Sequence, residues 1–266
     1  TAKNIDELWQ KVCEFVASFQ DAHLKALIEA FMADPEIVLA YRTAPAAKTL
    51  HHAFIGGLLD HVVSLLSLCD LAVRNYPHLN RDLLLTGAFL HDIGKIYELS
   101  YSRSFSYTTR GQLLGHMIIE LEMLHRKVAL VPGFPDELKV LIEHLIISHH
   151  GEYEFGSPKL PMFPEALMLH YLDDLDSKME SMRAHFEREA GMDSEWTSYN
   201  PSLGRTLLNP QKFLLKPEPQ AVELQKVGPQ KPPERPKPAE HPKPEVRQPE
   251  TAMAAALRAA IGDGKA

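Results

Sequence analysis

Cysteine is scarce in this chain: 266 residues hold two, Cys13 and Cys69. Two thiols are too few for a disulfide scaffold, and both lie in apolar helical contexts, so a reducing, cytoplasmic setting is expected and no thiol chemistry. Long apolar runs are also missing. No uncharged stretch approaches the roughly 20 residues of a spanning helix, and Thr1 to Asp6 shows no basic start followed by an apolar block. Neither membrane insertion nor an export signal is expected. A chain that starts on Thr instead of Met is expected to have lost sequence upstream, with room for a further N-terminal domain.

A basic excess is the third absence. The formal net charge is -7, from 28 Lys and Arg against 35 Asp and Glu. Lys216 to Glu250 carries seven basic residues against six Glu, and Ala252 to Ala266 two basic against one acidic, which leaves residues 1–215 at -9. An acidic body excludes a large basic nucleic-acid face. A polyanionic substrate would need bound cations or a partner domain to offset that field.

Composition shifts abruptly near Leu215. Ten of the 20 prolines fall between Pro217 and Pro249, a stretch with no aromatic residue. Such a segment buries too little apolar surface to offset its ordering entropy, so 216–250 reads as a disordered Pro-rich linker. Within 251–266, Met253, Ala256, Leu257, Ala260 and Ile261 share one helical face. That pattern predicts a short terminal helix that docks on a protein partner.

The body reads as helical. Ile5, Leu8, Trp9, Val12, Phe15, Val16 and Phe19 recur at i, i+3, i+4 spacing. Further helices are predicted over Ala22–Ala33, Pro35–Arg42, Ala53–Asn75, Arg81–Asp92, Leu114–Leu130, Pro135–His149 and Pro164–Ala190, with Asp34 and Asn80 as start signals. Only Ser100–Thr109 alternates with strand period, as a small hairpin or an ordered loop. The pattern predicts one all-α domain.

Histidine is what the chain has in quantity, with 14 residues, several beside Asp, Glu or Gly at helix ends. His91-Asp92 closes the apolar run Leu83–Leu90 and precedes Ile93-Gly94-Lys95, where Gly94 is expected to break the helix. Alone, a His-Asp pair at a helix end caps or ion-pairs as readily as it binds metal. The neighbours add weight: His61 in an apolar helix, His116 after Gly115, His149-His150 at another helix end, and Asp173 within a helix.

The order His61, His91-Asp92, Asp173 resembles the signature of the HD superfamily of metal-dependent phosphohydrolases. His116 and His149-His150 resemble the extra ligands of its dimetal branches. More closely, TAPAAKTLHHAFIGGLLDH (Thr43–His61), SHHGEYEFGSPK (Ser148–Lys159), LHYLDDLDSKM (Leu169–Met179) and WTSYN (Trp196–Asn200) resemble the YhaM type of 3′-to-5′ exoribonuclease, over about Ile5 to Leu215. One departure is that such proteins usually carry an OB-fold before the HD domain, and no strand-rich segment precedes Ile5 here.

The resemblance implies an HD-domain helical bundle: helices of 1–50 packed on an HD domain of 51–190, and an extension over 191–215. It implies metal ligation by His61, His91, Asp92, His116, His149, His150 and Asp173, the last three histidines being alternatively phosphate contacts around one ion. A mixed imidazole and carboxylate set suits Mn, Co, Fe, Ni or Zn better than Mg, and Mn is favoured. Two ions about 3.5–4 Å apart, bridged by Asp92, would activate water and stabilise attacking and leaving oxygens. Asp92 and Lys95 are the expected catalytic residues, Lys95 reaching phosphate or the leaving group unless it is a surface lysine favourable to the helix dipole.

His51, His52 and Lys159 are expected to line the substrate approach, and His144 to be solvated or core. Asp176 is either an orienting acceptor or a surface charge, and Asp174 is expected to point away. Tyr101, Phe105 and Tyr107 either stack bases or pack on the core. The expected reaction is hydrolysis of single-stranded RNA, and of single-stranded DNA as a second substrate, releasing nucleoside 5′-monophosphates. The alternatives are a phosphohydrolase of small nucleotides and a non-catalytic nucleic-acid-binding scaffold.

Overall fold

The fold is seen in a computed structural model, which describes residues 3–46, 54–100 and 106–215. His51, His52, Tyr101, Phe105, the 216–250 linker and the 251–266 helix expected from the sequence lie outside the described residues.

Short polar side chains start the helices. Asn4 accepts from the Asp6 amide at the head of α1 (Ile5–Ala17), and Asp21 from the His23 and Leu24 amides at α2 (Ala22–Met32). Asp34 and Pro35 together open α3 (Pro35–Thr43). The long α4 (Gly57–Asn75) follows, then α5 (Arg81–Leu90), whose Asn80 cap accepts from the Leu83 amide. Buried Asp82 on α5 accepts from the Gln20 and Asp21 amides at 2.6 and 2.7 Å, pinning the α1–α2 turn to the helix behind it.

Every residue of α5 from Asp82 to Leu90 is buried, which makes it the central element of the body. It packs against α4, α8 (Asp136–Ser148) and α9 (Pro164–Arg188). Leu58, Leu65, Leu84, Leu85, Leu90, Ile146 and Leu169, all fully buried, fill the space between these helices. Buried Tyr41 of α3 donates its hydroxyl to the Phe89 carbonyl at 2.7 Å, satisfying an orphan carbonyl at the end of α5.

Two short elements, α6 (Lys95–Glu98) and the hairpin of β1 (Leu99–Ser100) with β2 (Ser106–Tyr107), lead to α7 (Thr109–Val128). The strand-like alternation of 100–109 is therefore a hairpin at its two ends. The helix expected from Leu114 begins earlier, at Thr109, and bends at Gly115, whose φ of +72° lies in the left-handed region. A single 3-10 turn (Tyr153–Phe155) joins α8 to α9.

One element was not expected. Residues 191–215 hold an antiparallel hairpin of β3 (Trp196–Asn200) and β4 (Arg205–Leu208), followed by α10 (Pro210–Leu214). Its strands bury only Asn200 and Leu207, so no apolar alternation announces them. Side chains at the C-terminal end of α9 and its cap hold the hairpin instead: Glu189 accepts from the Ser198 amide at 2.9 Å, and His185 lies 3.1 Å from the Ser198 carbonyl. The body is otherwise the helical bundle that the sequence predicts. Among the described residues, no helix is long and apolar enough to cross a membrane.

Candidate metal centre

α5 ends one residue before His91, two residues earlier than expected. Tight turns then carry the chain through His91-Asp92-Ile93-Gly94, with the Ile93 amide on the Leu90 carbonyl at 2.8 Å and the Lys95 amide on the Asp92 carbonyl at 3.0 Å. Gly94 sits in this break in ordinary right-handed backbone, φ -61°, so it is not a left-handed helix stop. It is required for close approach: a methyl on its Cα would overlap the His116 carbonyl oxygen of α7.

Four imidazoles from four places in the chain share one arrangement. The Nδ1 edge of His61 faces Asp176 Oδ2 at 2.7 Å, and that of His116 faces Glu98 Oε1 at 3.3 Å. His91 and His149 direct Nδ1 to the carbonyls of Ala88 and Ile146, at 3.1 and 2.6 Å. Each acceptor engages Nδ1 and turns the Nε2 edge inward.

The Nε2 atoms converge on two carboxylates. His61 Nε2 lies 3.1 Å from Asp173 Oδ1 and 3.2 Å from His91 Nε2, which is 3.4 Å from Asp92 Oδ2. On the other side of the same carboxylate, Asp92 Oδ1 lies 3.6 Å from His116 Nε2 and 3.9 Å from His149 Nε2. Ligand atoms of His61, His91 and Asp92 lie within 4.8 Å of one another, as do those of His116, His149 and His150. Asp92 stands between the two groups.

Burial raises the Asp92 carboxyl, but Lys95 and His91 outweigh it and hold the group well below the usual carboxylate range. Asp173 is likewise held low, burial being overcome by His91 and His61. For His61, burial lowers the imidazole while Asp173 and Asp176 raise it to about 10. His149 goes the other way, driven well down by burial and by His150, and is neutral at neutral pH.

Among the described residues, Asp92 Oδ1, His116 Nε2 and His149 Nε2 are buried without a hydrogen-bond partner. Buried polar atoms left without partners are costly unless a ligand satisfies them, and a set of imidazole nitrogens and a carboxylate oxygen suits a divalent transition ion. The donor set therefore fits such a metal.

All seven residues expected as ligands come together. Lys95 donates to Asp92 Oδ2 at 2.6 Å, and the carboxylate raises the ammonium against the opposing effect of burial, so it is a cation at the cavity wall, not a solvated surface lysine. Lys159 is exposed, beyond the 3-10 turn, and is absent from the described cavity lining. His144 is half-buried and accepts from the Met162 amide at 3.0 Å. Asp174, expected to point away, lines the cavity with Asp173.

Three residues near the site escaped the sequence reading. Glu98 accepts from the His116 amide at 3.0 Å as well as facing its ring, a pairing across 18 residues with no periodic signal. His170, one turn before Asp173, directs Nδ1 to the His149 carbonyl at 2.9 Å, and the glycine at 151 leaves room for its ring. Glu120, one turn after His116, is fully buried with both carboxylate oxygens unpartnered among the described residues. Its i+4 spacing from His116 was the available signal.

This arrangement accords with the family model described as HD domain, which matches residues 58–178. The chain is similar to curated proteins named 3′-5′ exoribonuclease YhaM. It is 41% identical to that of Geobacillus sp. strain WCH70 over 69% of this chain and 56% of the relative. To that of Bacillus subtilis strain 168 it is 40% identical, over 69% and 57%. To that of Listeria welshimeri it is 36% identical over 212 residues, 75% and 65%. The chain thus spans little more than half the length of the first two. No solved structure matches it.

Proposed function

We propose that this chain is the hydrolytic part of a metal-dependent 3′-to-5′ exoribonuclease, acting on single-stranded RNA and releasing nucleoside 5′-monophosphates. The observation that carries the reading is the convergence of four Nε2 atoms, each with its Nδ1 engaged, on Asp92 and Asp173. The similarity to proteins of that printed name supplies the substrate class.

His61, His91, Asp92 and Asp173 would hold one divalent ion and Asp92, His116, His149 and His150 a second, with Mn favoured among Mn, Co, Fe, Ni and Zn. Bound there, the ions supply Lewis acidity toward phosphate and lower the pKa of water. The chain's own groups do the rest. Asp176 and Glu98 fix the rings of His61 and His116. Lys95, charged and beside Asp92, neutralises a nonbridging oxygen of the scissile phosphate or protonates the departing 3′ oxygen.

The domain reading follows the same lines: residues 1–50 brace an HD domain of 51–190, and 191–215 extend it. A cytoplasmic location and a protein partner for the Pro-rich tail complete the reading.

The test is a time course on 5′-labelled single-stranded RNA with metal-stripped protein, Mn and Mg being added separately. A ladder that shortens from the 3′ end only with metal is expected. An intact strand alongside hydrolysed mononucleotides would transfer the function to small nucleotides.

A further inference from the structure

We infer that the β3–β4 hairpin is a stacking platform for single-stranded nucleic acid, on which Trp196 and Tyr199 each take one base of the strand upstream of the metal centre and Arg205 takes a phosphate. The inference rests on the exonuclease reading and names where the substrate of that site runs once it leaves it.

The core does not account for these two rings. Trp196 is 52% exposed and Tyr199 60%, on a hairpin that buries only Asn200 and Leu207. Three residues apart on a regular strand, they would fall on opposite faces. The register shows otherwise: Trp196 pairs with Leu208 and Tyr199 with Thr206, with an irregularity between the two pairs. Leu208 and Thr206 are two residues apart and share a face, while buried Leu207 between them turns to the other. The extra residue of the bulge thus brings both rings to the outer face, about 7 Å apart along β4. Bulges re-aim side chains in this way beside functional sites.

The platform adjoins the cavity. Asn200 Nδ2 lies 3.4 Å from Ser181 Oγ of α9, and Ser181 follows by one turn Ser177, which lines the cavity with Asp173. One turn of helix, one side-chain contact and one step of chain put the Tyr199 backbone within about 20 Å of that lining. A strand covers that distance in at most about six nucleotides at 3.4 Å each. Arg205 pairs with Asn200 in the same register and is exposed, and it makes no ion pair with a described residue.

The surroundings of the rings select the occupant. Tyr199 stands beside Thr206 and Arg205, polar neighbours that suit a strand of alternating bases and phosphates better than an apolar protein face. Residues 1–215 carry a net charge of -9, so attraction between net charges cannot hold a polyanion here. Stacking is indifferent to that charge, and because every base has a π-face it is indifferent to sequence and sugar as well.

The test is fluorescence anisotropy with 5′-fluorescein-labelled single strands and the metal-stripped 266-residue chain, so that no hydrolysis intervenes. A 12-nucleotide RNA, long enough to reach the hairpin, is expected to bind at least about tenfold more tightly than a 3-nucleotide RNA, and a 12-nucleotide DNA to match it within about threefold. Trp196→Ala and Tyr199→Ala should each weaken the 12-nucleotide strand by about 5–100-fold and leave the 3-nucleotide strand within about twofold. Trp196→Phe, which keeps a stacking face, should restore most of the loss. Arg205→Gln should reduce the dependence of log affinity on log salt by about 0.7, one phosphate of a single strand.

Equal affinity for the two lengths would overturn the proposal, as would no binding of the longer strand, a loss that Trp196→Phe does not restore, or an affinity that survives both alanine variants. The last result would give the rings to a protein partner. A parallel time course on 5′-labelled RNA with Mn separates the two readings. Binding independent of length alongside intact 3′-to-5′ shortening removes the platform alone, and intact RNA alongside platform-dependent binding removes the exonuclease reading alone.

Discussion

In the proposed mechanism the chemistry turns on Asp92, because one carboxylate faces His91 and Lys95 with Oδ2 and His116 and His149 with Oδ1. Replacing it by Asn removes the negative charge shared by both groups while preserving shape. Asp92→Asn is expected to lose at least about 10³-fold in turnover with helicity unchanged. Circular dichroism and metal content measured together check this, and metal-dependent activity in that variant would end the mechanism. Lys95→Ala is expected to lower turnover by about 10²-fold and metal affinity by far less. An equal fall in both would make Lys95 a structural partner of Asp92. Glu120 belongs to stability. Burial, then the nearby Asp92 charge, pushes its carboxyl well above its ordinary 4.5. Below pH 4.5 folded and unfolded chains both hold that proton; above it the unfolded chain releases it and the folded chain does not. Stability is therefore lost as pH rises past 4.5 toward the folded value. Glu120→Gln should raise the melting temperature at pH 7–8 by a few degrees, about 2–4 °C per kcal/mol, and by much less at pH 4. An equal gain at both pH values would mean the carboxyl is ionised in the fold.

At the scale of elements, the site depends on two helix ends brought edge to edge. The turn after α5 delivers His91-Asp92, and the bend at Gly115 in α7 lets the His116 amide and ring meet the same Glu98 oxygen. Gly94 is where the two segments touch, so Gly94→Ala is expected to lower stability by about 1–3 kcal/mol, as overpacking does, and to disturb His116 before the others. Denaturant unfolding with metal titration reads both; an unchanged midpoint would show that the α6–α7 contact yields easily. The helices were legible because apolar spacing and Asn or Asp caps are local signals, as at Asn4, Asp34 and Asn80. The residues that converge on the site were legible by their order along the chain. What was hidden is non-local: Glu98 beneath His116, or His170 against the His149 carbonyl, meet across 18 and 21 residues with no periodicity to mark them. Asp174 was misread because helical spacing from Asp173 puts it off the ligand face, yet the cavity is wide enough to reach around the helix. The β3–β4 hairpin was missed because its hold on α9 is polar, through Glu189 and His185.

At the scale of the molecule, the candidate centre draws on separate parts of the chain. His61 comes from α4, His91-Asp92 from the end of α5, His116 from α7, His149-His150 from the end of α8 and Asp173 from α9. The packed core alone does not require these polar atoms to meet, and Asp92, Asp173 and Asp176 repel one another where they do. A divalent ion binds only the folded arrangement, so its binding free energy adds to folding stability. At an ion concentration about 100 times the dissociation constant the gain is about 2.7 kcal/mol, which for a body of this size is a rise of about 5–10 °C in melting temperature. Metal-stripped protein is expected to gain that much on adding Mn, and Asp173→Asn to lose most of the gain. Protons and metal compete for the same Nε2 atoms, so the gain should shrink as pH falls from 8 to 6. A melting temperature indifferent to Mn at pH 8 would mean that these ligands do not act together on a metal. The four oriented imidazoles would then be a hydrogen-bonded core and the hydrolytic reading would fall with them.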